Sequence, residues 1–228
     1  MSDYAEIVVL VEGKTEQIFI QDIVSPYLAG RGVYIKPIII SKPGQKGGDV
    51  KFVRVKNDIE LHLKQRPDTY LTLFVDFYGI MKDWPGLEEA KRQTTPSGKA
   101  ETINTATKSQ VNVLFGGNDS ERRFIPYVAM HEFEAMLFSE PEELASQLGI
   151  SVSQIDKILK DCGEPEQIDD SPQTAPSKRL EDLSRRFKKT STGIAIAKAT
   201  GLAKIRNQCP LFNKWLTDIE NLEGLKHG

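Results

Sequence analysis

Two short apolar runs in the first third of the chain each end at an acidic residue. The run from Ile7 to Val11 is followed by Glu12, and the run from Tyr70 to Val75 is followed by Asp76. Continuous β-branched and leucine runs of this length predict strands that are buried on both faces, as in parallel sheets. Helical patterns separate the runs, so right-handed crossovers would make the strands parallel and bring both acids to one edge of the sheet.

The neighbouring segments complete the pattern of an α/β domain. Gly13 precedes a predicted helix from Lys14 to Ala29, and a second strand is expected from Val33 to Ile40. Pro37 within that strand indicates an edge position or an early bend. The further elements expected are a helix capped by Asp49, a helix from Lys99 to Phe115 and a fourth strand from Arg123 to Met130.

From Ser139 onwards the pattern is helical and polar, and it includes a predicted basic helix from Lys178 to Lys189. The sequence therefore predicts an α/β domain over residues 1–138 and a helical C-terminal subdomain over residues 139–228.

Several function classes are excluded by what the sequence lacks. No apolar run approaches the roughly 20 residues that span a bilayer, and no signal peptide is evident, so a cytoplasmic location is expected. Cys162 and Cys209 have no metal-ligand spacing. Gly13-Lys14-Thr15 resembles the end of a P-loop, but Val8 stands where that motif needs its first glycine, which argues against nucleotide hydrolysis.

The formal net charge of −2 hides an uneven distribution. Residues 178–206 contain nine Lys and Arg against two acids, whereas residues 132–170 contain eleven acids against two Lys. The basic segment is suited to phosphate contact or is a solvated helix face, and the acidic one is suited to metal binding or is solvated. The candidates for nucleic-acid or phosphate contact are Lys14, Lys42, Lys46, Arg185 and Arg186.

A third acidic position follows the fourth predicted strand, in His131-Glu132-Phe133-Glu134. If this segment is helical, Glu132 and Glu134 point roughly 200° apart, so only one of them can join a site. Glu12, Asp76 and one of these glutamates would offer oxygen ligands only, which suits Mg²⁺ or Mn²⁺ and the hydrolysis of a phosphodiester. Alternatively, these acids line a polar edge and bind nothing.

Several motifs resemble known families. VEGKTE and the strand ending in Asp76 resemble the Toprim domain of topoisomerases, primases, small nucleases and OLD-type nucleases. More narrowly, VEGKTE, VDFYGI with the following WPG, HEFEAMLFS and IRNQCPLFNKWL resemble a Toprim-like domain-of-unknown-function family, DUF4276. The narrower resemblance runs from Val11 to Leu216, and the Toprim resemblance covers about residues 7–136.

The resemblance implies a Toprim-like, Rossmann-like parallel sheet flanked by helices. It implies that Glu12 is a general acid or base and that Asp76 binds Mg²⁺. Toprim domains carry a second acid two residues later, where this chain has Tyr78. Glu132 or Glu134 is our inference for the missing ligand. The resemblance alone also implies an ABC-type ATPase partner in a phage-defence system.

The sequence thus favours a Mg²⁺- or Mn²⁺-dependent nucleic-acid phosphodiester hydrolase in a defence or DNA-repair system. The alternative is a catalytically degenerate subunit that binds and regulates an ABC-type ATPase or nucleic acid. Retention of Glu12 and Asp76 favours the enzyme, and Tyr78 favours the regulatory subunit. An oligomer is compatible with either.

Overall fold

The sheet is built from short strands whose order follows the α/β pattern. The computed structural model describes residues 4–41, 50–168 and 174–225. The described strands run in the spatial order β2-β1-β3-β4, with β5 also paired to β3. Their bounds are β1 Ala5–Val11, β2 Val33–Ile39, β3 Tyr70–Asp76, β4 Phe124–Ile125 and β5 Val128–Ala129. The pairs β1/β2, β1/β3 and β3/β4 are parallel, so the predicted parallel sheet flanked by helices is confirmed.

The two central strands are buried as their apolar runs predict. All residues of β3 are buried, and β1 has only Glu6 partly accessible. Val11 pairs with Phe74 in register, so the carboxyl ends of β1 and β3 lie at the same edge of the sheet. Thr72, the polar residue inside β3, donates its hydroxyl to the carbonyl of Ile125 (2.6 Å), which satisfies it in the core.

The two proline-containing strands behave differently. The strand order places β2 at an edge, as Pro37 indicated. The prediction of one continuous strand from Arg123 to Met130 is wrong, because β4 ends at Ile125 and β5 begins at Val128. Pro126 lies in the gap, and it has no backbone N–H to continue a ladder.

The first helix, α1, begins at Lys14, two residues after Glu12. The predicted helix from Lys14 is divided by a π-helical turn over Ile20–Val24. Asp49, the predicted N-cap of the helix after β2, lies outside the described residues, which resume at Val50. The helices are α1 Lys14–Phe19, α2 Ser25–Ala29, α3 Phe52–Gln65, α4 Leu87–Lys91, α5 Pro96–Phe115 and α6 Ser120–Arg123.

The second half is helical, as expected, but the basic helix is shorter than predicted. The helices are α7 Pro141–Leu148, α8 Val152–Cys162, α9 Pro176–Leu183, α10 Ile194–Thr200, α11 Leu202–Gln208 and α12 Pro210–Glu220, with a 3₁₀ segment Phe133–Ser139 before α7 and a π-helical turn Lys189–Gly193 before α10. The helix predicted over 178–189 ends at Leu183 because Ser184 is extended. The Ser184 hydroxyl donates to the carbonyl of Leu148 (3.2 Å) and accepts from the N–H of Arg186 (3.3 Å), which directs the chain out of the helix.

Contacts divide the chain into two compact units. One contains residues 1–75, 79–128 and 217–228, and the other contains residues 76–78 and 129–216. The predicted division into an α/β domain over residues 1–138 and a helical subdomain over residues 139–228 stays a prediction. In the first unit, the Tyr27 hydroxyl donates to Glu220 (2.5 Å), which ties the end of the chain to α2. Within the described ranges, no helix is both long and apolar enough to cross a bilayer.

Candidate functional site

Glu12 lies directly after β1, and its carboxylate lies close to Gly79. A Cβ atom at position 79 would lie 2.1 Å from Oε2 of Glu12, so any side chain there would displace the carboxylate. Gly79 is itself fixed, because its carbonyl accepts from the N–H of Val50 (2.7 Å). The close approach of Gly79 to Glu12 was not predicted from the sequence. Its only signal was a glycine three residues after the strand that ends in Asp76.

A second glutamate close to Glu12 in the chain is buried, which was not predicted from the sequence. Glu16, in the first turn of α1, is 7% exposed, and a Cβ atom on Gly13 would lie 3.3 Å from its Oε2. Glu16 lies three residues before Phe19 and four before Ile20, both buried, and this spacing was the available signal. Lys14 is exposed, and its ammonium donates to Gln17 (2.8 Å).

Asp76 closes β3 and is 9% exposed. Its Oδ1 accepts a hydrogen bond from the backbone N–H of Phe133 (3.1 Å). This bond fixes Asp76 to the segment that carries the two further candidate acids, Glu132 and Glu134.

Glu132 accepts hydrogen bonds from the first turn of α9. Its Oε2 accepts from the backbone N–H of Ser177 (2.9 Å) and its Oε1 from the Ser177 hydroxyl (3.1 Å). Ser177 is in the first turn of α9, where a carboxylate satisfies a free N–H and favours the positive end of the helix dipole. Both oxygens of Glu132 are thus engaged, which leaves Glu134 as the better ligand candidate.

Glu134 is buried and faces a lysine from a distant part of the chain. The Lys189 ammonium lies 3.1 Å from Oε1 of Glu134, and the exposed fractions of the two side chains are 43% and 1%. Burial lowers the pKa of Lys189, but the carboxylates of Glu134, Glu132 and Asp76 outweigh it and raise that pKa above its ordinary value. Lys189 is therefore a protonated cation among three acids, a role the sequence analysis did not foresee.

The donor set available to a metal is small. Across residues 4–41, 50–168 and 174–225, no group of three or more His, Cys, Asp or Glu side chains is placed to hold a metal ion. Mg²⁺ is often bound by only one or two carboxylates, with waters and substrate phosphates as further ligands. Asp76 and Glu134, with oxygen donors only, fit Mg²⁺ or Mn²⁺ in that way, and metal binding by them stays a prediction.

Tyr78 stands where Toprim domains have their second acid, and its ring is engaged with a histidine. The rings of Tyr78 and His131 stack with centroids 5.5 Å apart and planes 30° from parallel. The backbone N–H of Tyr78 also donates to the carbonyl of His131 (3.3 Å). An aromatic stack therefore replaces a carboxylate at this position.

The basic residues of the second unit flank Lys189. Arg185, Arg186 and Lys188 are exposed, whereas Phe187 between them is 5% exposed. Phe187 and Gly193 are both buried, so residues 184–193, here termed the basic strap, are anchored in the protein at these two positions. Lys42 and Lys46, the other predicted phosphate contacts, lie outside the described residues.

Comparison with known proteins identifies a family. No match was found among curated proteins. One similar solved structure is the C-terminal region of the Xanthomonas campestris pv. campestris OLD protein, with 13% identity over 94% of this chain and 97% of that chain. Its TM-score is 0.39, and a likeness at this level carries no argument about this chain. A family model described as a domain of unknown function, DUF4276, matches residues 11–220, so the chain belongs to the DUF4276 family.

Proposed function

We propose that this protein is a nucleic-acid phosphodiester hydrolase that uses Mg²⁺ or Mn²⁺. The observation that carries the proposal is the concentration of carboxylates around Lys189, with Asp76 at the end of a central strand and Glu134 buried beside the ammonium. A site that holds one cation this closely has the negative potential that a divalent cation needs.

Asp76 and Glu134 would hold the metal. When bound, it would polarise a phosphoryl oxygen and lower the pKa of a water ligand. The carboxylate of Glu12 would accept or return a proton as the general acid or base, the role that the resemblance implies for it. Gly79 leaves room for the Glu12 carboxylate, because a Cβ atom at position 79 would lie 2.1 Å from its Oε2.

The basic strap supplies charge of the opposite sign. Arg185, Arg186 and Lys188 are exposed on the same short segment as Lys189. Exposed Lys and Arg side chains bind phosphates of either DNA or RNA without reading sequence, and their contribution falls as salt rises. We infer that these residues hold the backbone of the substrate, with Lys14 as a further candidate.

The experiment is cleavage of mixed DNA and RNA substrates with Mg²⁺ and with Mn²⁺. The variants are Glu12→Gln, Asp76→Asn and Glu134→Gln, and the matched control is Glu89→Gln on the exposed side of α4. We expect metal-dependent cleavage in the wild type and the control, and a loss of about a hundredfold or more in the three variants. Cleavage that survives all three substitutions would contradict the assignment of this site.

The Tyr78–His131 stack favours a second candidate, a non-catalytic subunit that regulates an ABC-type ATPase or nucleic acid. Mn²⁺ binding separates the two. The enzyme requires a Mn²⁺ site that is lost in Asp76→Asn, whereas the regulatory subunit predicts no such site and no cleavage with any metal.

A further inference from the structure

Lys189 reaches the acids from a segment that is fixed at both sides. The Phe187 N–H donates to the carbonyl of Ser184 (3.0 Å), and the Gly193 N–H donates to the carbonyl of Lys188 (3.0 Å). The backbone of the basic strap is therefore held in place while the Lys189 side chain, 43% exposed, crosses from the protein surface to the buried Glu134.

We propose that Lys189 is a built-in counter-cation that competes with a divalent metal ion for Glu134. The proposal rests on the proposed function, because it concerns the same acids. Lys189 compensates the charge of Glu134 when no metal is bound, and it must leave Glu134 for the metal to bind there.

The physical argument begins with Glu134. Its side chain is 1% exposed, and a buried carboxylate without a nearby cation is strongly disfavoured. An ammonium and a divalent cation cannot both lie against one carboxylate without strong repulsion, because their charges have the same sign at short range.

The competing cation is also free to leave. The lysine ammonium lies at the end of a flexible four-carbon stem, and part of the Lys189 side chain already reaches solvent. When it swings out, the ammonium joins Arg185, Arg186 and Lys188 on the exposed face of the strap. Metal binding at Glu134 thus adds one cation to the surface proposed to contact phosphate.

The test is the affinity for Mn²⁺, measured by titration calorimetry and by the loss of the free-ion EPR signal, on metal-stripped full-length protein. The variants are Lys189→Met, which removes the competing charge, and Lys189→Arg, which keeps it. Lys188→Met is the matched control, because Lys188 is adjacent and exposed. We expect Lys189→Met to bind Mn²⁺ about tenfold or more tightly than wild type, within the usual range of coupling between two ligands.

Thermal unfolding keeps the test decisive if Lys189→Met is unstable. In Lys189→Met, Glu134 has lost its counter-cation, so this variant should be less stable than wild type. Mn²⁺ should raise the melting temperature of Lys189→Met more than that of wild type or Lys188→Met. Adding Glu134→Gln should abolish this extra gain. Equal Mn²⁺ affinity in wild type and Lys189→Met, or weaker binding in the variant, would overturn the competition and leave the proposed function standing. Absence of Mn²⁺ binding in every variant would instead overturn the metal site and the competition with it.

Discussion

The ammonium of Lys189 lies 3.1 Å from the carboxylate of Glu134, although 55 positions separate the two residues in the chain. The pair differs from an ordinary surface ion pair because one partner is almost wholly removed from water. Lys64 and Glu60 on α3 form such a surface pair, with exposed fractions of 57% and 41%. The two pairs provide an internal comparison of buried and exposed charge.

A double-mutant cycle on Lys189→Met and Glu134→Gln should give a coupling free energy of about 2 kcal/mol, because the single Lys189→Met variant leaves a buried carboxylate uncompensated. The same cycle on Lys64→Met and Glu60→Gln should give about 0.5 kcal/mol or less. Urea unfolding with the metal removed measures both. Equal coupling in the two cycles would mean that Glu134 is hydrated in solution.

Gly79→Ala should reduce cleavage by about a hundredfold without unfolding the protein, because the new methyl group displaces the Glu12 carboxylate. Gly117→Ala is the control, since a Cβ atom there meets no atom within 4 Å. Circular dichroism checks the fold and the nuclease assay checks the rate. Unchanged cleavage in Gly79→Ala would show that the orientation of Glu12 does not matter for the reaction.

Arg123 should contribute to the stability of the fold, independently of the proposed metal site. Its guanidinium is buried and donates to the backbone carbonyls of four residues, Thr69 (2.9 Å), Leu63 (3.1 Å), Asn118 (2.9 Å) and Arg66. Arg123→Met should lower the free energy of unfolding by about 3 kcal/mol, because these carbonyls lose their donor. Arg122→Met, at an exposed position, should change it by about 0.5 kcal/mol or less in the same urea titration.

The buried Glu166 should make the free energy of unfolding depend on pH. It is 3% exposed and accepts from the N–H groups of Leu211 (2.8 Å) and Phe212 (2.9 Å) at the start of α12. Burial raises the pKa of Glu166 from 4.5 to about 7, against the lowering effect of these two bonds, and the charge of Glu164 adds to the rise.

The folded state therefore binds more protons than the unfolded chain between these two pKa values. The stabilisation linked to Glu166 is complete below about pH 4.5 and is lost as the pH rises to about 7, a change of about 3 kcal/mol. The free energy of unfolding of wild type minus that of Glu166→Gln should fall across this window, in urea titrations at several pH values. The corresponding difference for Glu101→Gln, exposed on α5, should stay flat. A flat difference for Glu166→Gln would contradict the raised pKa.

Local sequence patterns determined the first three strands of the sheet. The apolar runs that became β1 and β3, the acids Glu12 and Asp76 that end them, and the edge position of Pro37 follow from the period of side-chain burial and from backbone sterics. These effects act between residues close together in the chain, so a single sequence carries them. The break between β4 and β5 has a local cause too, because Pro126 has no backbone N–H to continue a strand ladder.

Only the tertiary structure decided what each acid contacts. Glu132 caps a helix that begins more than 40 residues later, and Glu134 pairs with a lysine from a strap whose helical extent was predicted too long. Two glutamates two residues apart thus have different roles, which no local pattern distinguishes. The reason is physical: the partner of a buried charge is set by packing of distant segments, where the cost of desolvation selects the geometry.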